Sequence, residues 1–201
     1  MMTILYRVYN NLYVNMTNRC PCSCVFCLRN TRDSMDDSGS LWLEREPRTD
    51  EIKAEFEKFD MSEFGEVVFC GFGEPTERLD DLLDVAAFVK EKYGKTTRIN
   101  TNGLSDLINK RETAPLFAGK IDIVSISLNT PDRDDYYALT RSRFGVESFD
   151  AMLKFAEQVK CYVNEVVMTT VATTITAEQE KECAAICERL GVKYRIRAFE
   201  D

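Results

Sequence analysis

The chain has 201 residues, of which 44% are hydrophobic and 30% charged, with a net charge of −8 and no histidine. This composition is typical of a globular protein, and the length predicts one domain, since barrel-like domains reach about 200–250 residues. The negative charge argues against general binding of nucleic acids or anionic membranes, and the lack of histidine excludes histidine-based catalysis and histidine-held metals.

Membrane spans and secretion signals are not recognisable in the sequence. No apolar run approaches the roughly 18 residues needed to cross a bilayer, and the first residues lack a signal-peptide pattern. We therefore expect a cytoplasmic protein without membrane partners. In a reducing compartment, its eight cysteines are expected as metal ligands, catalytic groups or core residues rather than as disulfides.

Strand-like segments recur along the chain. A hairpin is predicted around Asn10 and Asn11, because asparagine tolerates the left-handed backbone of tight turns. Six segments are compact and rich in β-branched and aromatic residues: LYVNMT, EVVFCGF, TTRINTNG, KIDIVSISLN, EVVMTTVA and VKYRIRAF. After the first of them, residues 31–40 are polar and predict an exposed, mobile loop.

Helical patterns separate these strands. Apolar periodicity predicts helices around Ile52, Leu82 and Phe149, with a shorter helix over residues 105–117. A last helix begins at the capping pair Thr176 and Gln179 and ends at Gly191. Repeated β-α units predict an α/β fold of parallel strands with right-handed crossovers and helices outside. Groups that follow these strands then converge at the carboxyl edge of the sheet.

The segment CPCSCVFC follows the first parallel strand and holds four cysteines, spaced Cys20-x-x-x-Cys24-x-x-Cys27 with Cys22 inside the first gap. Thiolates suit iron-sulfur clusters and zinc. A zinc site that uses all four is the alternative, although four thiolates from one eight-residue loop are crowded. The CxxxCxxC spacing, with Phe26 before the last cysteine, resembles the radical S-adenosylmethionine (radical SAM) family. The resemblance implies that Cys20, Cys24 and Cys27 hold three irons of a 4Fe-4S cluster and that Cys22 is left out.

A second motif, GFGEPT, ends the next strand and resembles the Gly-Gly-Glu element of that family. Glycine lets the backbone approach a ligand closely, and a carboxylate accepts charge-assisted hydrogen bonds from an ammonium group. The resemblance implies that Phe72, Gly73 and Glu74 contact S-adenosylmethionine. Taken alone, a glycine-rich turn after a strand is most often only a turn.

Further cofactor contacts follow from the resemblance. It implies roles for Asn102 in TNG, for Ser127 and Asn129 in SISLN at the ribose hydroxyls, and for Phe26 beside the cofactor. An arginine of LTRSRFGVESFD is the implied partner of the cofactor carboxylate, which its planar donor fork matches, and the spacing to Phe149 favours Arg143 over Arg141. Of the other cysteines, Cys183 and Cys187 share a helix face and are expected in the core, Cys70 is first a strand residue, and Cys161 has no informative context.

The resemblance covers nearly the whole chain and implies a partial (β/α)6 barrel, preceded by the hairpin strand, as a single core domain over residues 1–201. TNRCPCSCVFCLRN with GFGEPT is most similar to the small TatD-associated radical SAM proteins. The implied reaction cleaves S-adenosylmethionine to methionine and a 5'-deoxyadenosyl radical, which takes hydrogen from a substrate. No catalytic residue beyond the cofactor contacts is assigned.

The implied partners are a low-potential electron donor, such as a flavodoxin or ferredoxin, and a substrate that is either a small molecule or a partner protein. Specificity is expected in residues 29–46. Three alternatives stay open: an activase of a glycyl-radical enzyme, a cysteine-held zinc module and an iron-sulfur electron carrier. An electron carrier usually gives its cluster four protein thiolates, and it gives no reason for Glu74 and the polar strand ends to converge.

Overall fold

The computed structural model describes residues 2–35 and 38–198, in which seven strands form one open sheet in the order of the sequence. The strands are β1 Leu5–Val8, β2 Asn11–Val14, β3 Glu66–Phe69, β4 Thr96–Thr101, β5 Ile123–Ser127, β6 Glu165–Val171 and β7 Lys193–Arg197. β1 pairs antiparallel with β2, and every later pair is parallel. The predicted α/β fold is confirmed: six parallel strands of an unclosed barrel follow an antiparallel hairpin strand.

Helices connect the parallel strands and cover one face of the sheet. They are α1 Thr49–Glu55, α2 Leu79–Tyr93, α3 Ser105–Asn109, α4 Arg133–Thr140, α5 Glu147–Val159 and α6 Ala177–Leu190. Their apolar sides form the main core with alternate strand residues, including Phe69, Ile99 and Ile126. Within the described ranges, no helix has the length and apolar character needed to cross a membrane.

The last helix forms as predicted. The Thr176 hydroxyl accepts a hydrogen bond from Gln179 N, and the Gln179 side chain accepts one from Thr176 N. Gly191 ends the helix with a φ of +68°. Cys183 and Cys187 are 0% and 1% exposed, which confirms their prediction as core residues.

Three local predictions differ from the structure. Val8 pairs with Asn11, so the hairpin turn is one residue earlier than expected, with Tyr9 in the left-handed region at φ 53°. The helix predicted over residues 105–117 is interrupted at Lys110, whose φ is also 53°, and a 3-10 turn follows over Ala114–Phe117. Helix α4 was not predicted, although Asp132 caps it by accepting hydrogen bonds from two backbone amides.

The polar segment after the cysteine loop is anchored where the structure describes it. Leu41 N donates to Asp33 O at 2.7 Å, and Trp42 Nε1 donates to Asp33 Oδ1 at 3.0 Å. Asn15 and Asn18 bind the backbone of Leu41 and Leu43. Residues 36 and 37 of the predicted mobile loop lie outside the described residues. These contacts attach the segment to the strand that leads into the cysteine loop.

Candidate functional site

The cysteine loop, residues 18–30, follows β2 and reaches helix α4, which follows β5. Three backbone hydrogen bonds of 2.9 Å join the loop to α4 and the turn after it: Ser23 N to Thr140 O, Val25 N to Leu139 O, and Arg143 N to Pro21 O. The loop is therefore held between elements that are far apart in sequence but meet at the carboxyl edge of the sheet.

The four cysteines of this loop have different surroundings. Cys22 is 3% exposed and belongs to the main core, whereas Cys20, Cys24 and Cys27 are half-buried. Hydrogen bonding with Cys22 lowers the pKa of Cys20 and of Cys24 and raises that of Cys22. Burial raises the pKa of Cys27, and the backbone amide and charge of Arg29 oppose that rise. The hydrogen bonding thus favours the thiolate, the form that binds metals, at Cys20 and Cys24, and favours the thiol at Cys22.

Metal sites differ in how they arrange their ligands. Within residues 2–35 and 38–198, no three cysteine, aspartate or glutamate side chains converge closely enough to hold one metal ion. Zinc would require the loop to contract around a single ion, whereas the thiolates of a 4Fe-4S cluster bind separate irons. A zinc site would therefore need the cysteine thiols closer together than they lie in the structure, whereas a 4Fe-4S cluster does not need them to meet at one ion.

The GFGEPT turn lies directly against the segment that enters the cysteine loop. A Cβ on Gly71 would stand 2.2 Å from Asn15 Oδ1, and one on Gly73 would stand 2.2 Å from Thr17 O. Glu74 N donates a hydrogen bond to Arg19 O at 2.8 Å. In the structure these two glycines allow a close approach to the chain itself. Glycine is required here because a larger residue would collide with the segment that follows β2.

Glu74 is 4% exposed and its carboxylate links the ends of two strands. Oε1 accepts hydrogen bonds from Thr76 N at 3.1 Å, Thr76 Oγ1 at 2.7 Å and Thr101 Oγ1 at 2.7 Å, and Oε2 accepts one from Asn102 N at 2.8 Å. Burial raises the pKa of Glu74, and these hydrogen bonds oppose that rise. Since Oε2 accepts only one of them, it keeps an acceptor position for a further donor.

Asn102 lies beside the cysteine loop. Its Nδ2 donates to Cys22 Sγ at 3.9 Å, and its Oδ1 accepts from Leu104 N at 2.9 Å. The backbone amide of the same residue is the donor to Glu74. Asn102 therefore connects the GFGEPT turn with the buried cysteine, so two of the predicted motifs meet at this residue.

Ser127 and Asn129 lie at the end of β5. Ser127 pairs with Thr169 of β6 and is half-buried. Asn129 is 5% exposed and adopts a φ of +65°, and its backbone amide donates to Thr169 O at 3.2 Å. Asn129 Oδ1 is buried and accepts no hydrogen bond from the described part of the chain. A buried acceptor without a donor is costly, so this oxygen suits a donor supplied by a bound group.

Arg143 forms an ion pair at the rim of the site. Its Nη2 lies 3.3 Å from Glu77 Oε1, and its guanidinium stacks over the Phe144 ring at 4.9 Å. The Glu77 side chain is 7% exposed, and its other oxygen lies 3.8 Å from Arg19 Nη1. The backbone of Arg143 is hydrogen-bonded to the cysteine loop, and its charge faces a carboxylate of this chain.

The two predicted aromatic contacts occupy different places. Phe26 is half-buried within the cysteine loop, between Val25 and Cys27. The Phe72 side chain instead packs 5.1 Å from Trp42 in a separate apolar cluster with Tyr6 and Leu41. Only the backbone of Phe72 therefore lies with the GFGEPT turn at the site.

The structure adds two residues that the sequence motifs did not indicate. Glu77 is three residues beyond Glu74. Its carboxylate forms ion pairs with Arg19 and Arg143, which come from distant segments of the chain. Tyr136 lies on α4 and is completely buried, and its hydroxyl has no hydrogen-bond partner among the described residues. The capping pattern at Asp132 was an available signal for α4, but no pattern indicated that Tyr136 would be completely buried.

Sequence comparisons identify relatives of this chain. The family model described as the Radical SAM superfamily matches residues 14–196. An Fe-coproporphyrin III synthase of Methanosarcina barkeri is 36% identical over 117 residues, which are 57% of this chain and 26% of that relative. A GTP 3',8-cyclase of Corynebacterium glutamicum is 31% identical over 142 residues, which are 67% of this chain and 35% of that relative. The chain thus spans about a quarter to a third of these curated relatives.

Solved structures share the fold. Streptococcus suis SuiB bound to its precursor peptide SuiA matches with a TM-score of 0.70 and 20% identity, over 95% of this chain and 39% of SuiB. SuiB bound to S-adenosylmethionine matches with a TM-score of 0.66 and 18% identity, over 94% of this chain and 38% of SuiB. At these identities the likeness concerns the fold alone.

Proposed function

The chain belongs to the radical SAM superfamily, and we propose that its cysteine loop holds a 4Fe-4S cluster through Cys20, Cys24 and Cys27. Members of this superfamily use such a cluster together with S-adenosylmethionine. The observation that carries the proposal is the three-plus-one arrangement of the loop, in which Cys20, Cys24 and Cys27 are half-buried and Cys22 is buried in the main core. Three thiolates leave one iron of the cluster open to a small molecule.

When bound, the cluster and S-adenosylmethionine supply the chemistry: one electron splits the cofactor's C–S bond, and the resulting 5'-deoxyadenosyl radical takes a hydrogen atom from the substrate. The chain itself binds and orients these groups and keeps water away from them. The hydrogen bonds from the cysteine loop to α4 support this role, because they hold the ligands in place before any cofactor binds.

The proposed cofactor contacts lie at the carboxyl edge of the strands. Glu74 Oε2 and the Gly73 backbone would receive the ammonium group, since Oε2 keeps one acceptor position. The buried oxygen of Asn129 and the hydroxyl of Ser127 would bind the ribose hydroxyls. These contacts are supported by an unpartnered buried acceptor and by the donor and acceptor chemistry of the residues.

Four further residues complete the proposed binding site. Arg143 would face the cofactor carboxylate after its pairing with Glu77 loosens, and Asn102 would lie beside the cofactor while holding Cys22. Phe26 would pack beside the cofactor, whereas Phe72 would contribute its backbone only, because its ring packs against Trp42.

We also propose that the 201 residues form a single core domain of the small TatD-associated subgroup. One sheet containing all seven strands of the described ranges supports the single domain, and the combination of TNRCPCSCVFCLRN with GFGEPT supports the subgroup. A low-potential donor of the flavodoxin or ferredoxin type would supply the electron. That electron would be used in the reductive cleavage of S-adenosylmethionine.

The proposal is tested by anaerobic reconstitution with iron and sulfide, followed by reduction with dithionite in the presence of S-adenosylmethionine. We expect a brown protein that releases 5'-deoxyadenosine and methionine in equal amounts, whereas the matched variant Cys24→Ser releases neither. A colourless protein that contains stoichiometric zinc, and forms no 5'-deoxyadenosine after reconstitution, would overturn the proposal.

A further inference from the structure

Glu77 is a buried carboxylate in the 3-10 turn Pro75–Arg78, which follows the GFGE segment after β3. Its side chain is 7% exposed, and its Oε1 is buried without a hydrogen-bond partner in the described part of the chain. Two cations reach it: Arg143 Nη2 lies 3.3 Å from Oε1, and Arg19 Nη1 lies 3.8 Å from Oε2. Because a buried charge without hydrogen bonds is costly, this carboxylate depends on the two arginines for its stability.

The neighbouring carboxylate, Glu74, is stabilised differently. It is 4% exposed, and its oxygens accept four hydrogen bonds, all from uncharged groups of Thr76, Thr101 and Asn102. The two buried carboxylates at this edge of the sheet are therefore not equivalent. Glu74 is held by neutral donors, whereas Glu77 is held by charge.

The two arginines that reach Glu77 also differ. Arg19 is engaged elsewhere, since its Nε and Nη2 donate to the Glu46 carboxylate at 2.7 Å and 3.2 Å. Arg143 instead lies over the Phe144 ring, and its contact with Glu77 is an ion pair without a hydrogen bond, because Oε1 accepts none from the described residues. A guanidinium has five N–H donors, so Arg143 is held near Glu77 by charge while its donor fork stays available.

Both arginines flank the start of the cysteine loop. Arg19 directly precedes Cys20 in the sequence. Arg143 N donates a hydrogen bond to Pro21 O at 2.9 Å, on the other side of Cys20. Glu77 therefore contacts two guanidinium groups beside a cysteine that is proposed to hold the cluster.

The charges at this edge determine what an anionic group meets there. Glu74 and Glu77 repel such a group, and Glu46 already neutralises much of the Arg19 charge. The carboxylate of S-adenosylmethionine can bind at this edge only where a cation offsets the repulsion. Arg143 meets this requirement, because no hydrogen bond commits its guanidinium to the Glu77 carboxylate.

We propose that Glu77 is a positioning residue, which holds the Arg143 guanidinium beside the cysteine loop so that its free N–H groups bind the carboxylate of S-adenosylmethionine. The cofactor loosens the contact between Glu77 and Arg143 but does not break it, because a buried carboxylate without its partner is strongly destabilising. One arginine can serve both carboxylates, since its planar fork presents donors along more than one edge. The inference rests on the proposed function and adds a residue to the same binding site.

The test measures the binding of two ligands to the reconstituted enzyme by anaerobic isothermal titration calorimetry, without a reductant so that no turnover occurs. Decarboxylated S-adenosylmethionine differs from S-adenosylmethionine only by lacking the carboxylate. We expect Glu77→Gln to raise the Kd of S-adenosylmethionine about tenfold and to leave the Kd of the decarboxylated ligand within about twofold. In the reduced enzyme, the rate of 5'-deoxyadenosine formation at saturating S-adenosylmethionine should stay within about twofold.

The matched control is Glu66→Gln, which removes another partly buried carboxylate that pairs with an arginine. Glu66 is the first residue of β3, at the opposite edge of the sheet, and its Oε2 lies 2.9 Å from Arg98 Nε. This variant should bind both ligands as the unmodified protein does. A loss of S-adenosylmethionine affinity equal to that of Glu77→Gln would show that the effect does not arise at the site, and would overturn the inference.

A double-mutant cycle tests whether Glu77 acts through Arg143. Arg143→Gln should weaken the binding of S-adenosylmethionine at least as much as Glu77→Gln does. The double variant should then bind it no more weakly than Arg143→Gln alone. If the two single effects multiply instead, the residues act independently and the inference fails.

Two further results would overturn the inference: an unchanged Kd of S-adenosylmethionine in folded, iron-loaded Glu77→Gln, or an equal loss of affinity for both ligands, which indicates a merely structural role. Should Glu77→Gln not fold, Glu77→Asp keeps the charge on a shorter side chain, and the same selective loss is expected and the same results contradict it. If the unmodified protein holds no cluster or binds neither ligand, the proposed function itself fails, and this inference fails with it.

Discussion

Glu74 Oε2 accepts a hydrogen bond from the backbone amide of Asn102 at 2.8 Å, which joins the turn after β3 to the end of β4. The other carboxylate oxygen binds Thr76 and Thr101. Through the Asn102 side chain, the connection continues to Cys22 Sγ. The glutamate of GFGEPT is therefore a structural link between neighbouring strand ends and the cysteine loop, besides its proposed contact with the cofactor.

Replacing this carboxylate should destabilise the fold. Glu74→Gln places an amide NH₂ against groups that donate hydrogen bonds, so we expect the free energy of unfolding to fall by about 2–3 kcal/mol in urea titrations. The control Glu178→Gln changes an exposed surface glutamate and should alter stability by less than about 0.5 kcal/mol. Equal stability of Glu74→Gln and the control would contradict the structural role.

The turn itself should tolerate no side chain at Gly73. A Cβ there would stand 2.2 Å from Thr17 O, so Gly73→Ala should displace the entry to the cysteine loop and cost about 1–3 kcal/mol of stability. At Gly65 the nearest atom to such a Cβ is 3.6 Å away, which makes Gly65→Ala a matched control. Thermal unfolding of both variants measures the difference, and similar midpoints would show that the turn is not tightly packed.

Local patterns predicted the strands and the cysteine loop, because each depends on residues that are neighbours in sequence. The six strand segments and the cap at Thr176 are of this kind. The pairing of Arg143 with Glu77 and the burial of Tyr136 were not predictable, since they depend on how α4 meets the loop after β2. The glycines were placed correctly in the turn, but their close neighbours are backbone atoms that only the folded chain brings together.

The remaining cysteines should differ in reactivity. Burial raises the pKa of Cys183 to about 12 and that of Cys187 to about 11, whereas Cys161 is exposed. Because the thiolate is the reacting form, iodoacetamide at pH 8 should modify Cys161 at least about tenfold faster than the two helix cysteines. Mass spectrometry of the native and urea-unfolded protein measures these rates. Comparable labelling of all three in the native protein would contradict their burial.

Acid stability should depend on Asp122. Burial raises the pKa of this carboxyl, but hydrogen bonds from Lys90 Nζ and Thr97 N outweigh it, so the folded value is lowered. Its stabilisation is therefore present above the unfolded pKa of about 3.9 and is lost as the pH falls through the folded value. Asp122→Asn should cost about 1–2 kcal/mol at pH 7 and progressively less below about pH 4.

The control for this prediction is Asp80→Asn, because the Asp80 side chain is 84% exposed and its ion pair should contribute little. Urea unfolding of both variants from pH 7 down to pH 3 measures the pH dependence. If the stability difference between Asp122→Asn and the unmodified protein stays constant over that range, the Asp122 carboxylate is not the acid-sensitive group.

The central claim, that three cysteines and not four hold a cluster that cleaves S-adenosylmethionine, is tested most directly by the four single serine variants of the loop. After anaerobic reconstitution, iron content and 5'-deoxyadenosine release are measured for each protein. We predict that Cys22→Ser keeps both within about twofold of the unmodified protein, because Cys22 is a buried residue of the core. Serine at Cys20, Cys24 or Cys27 should abolish both. Equal iron loss in all four variants would contradict the account.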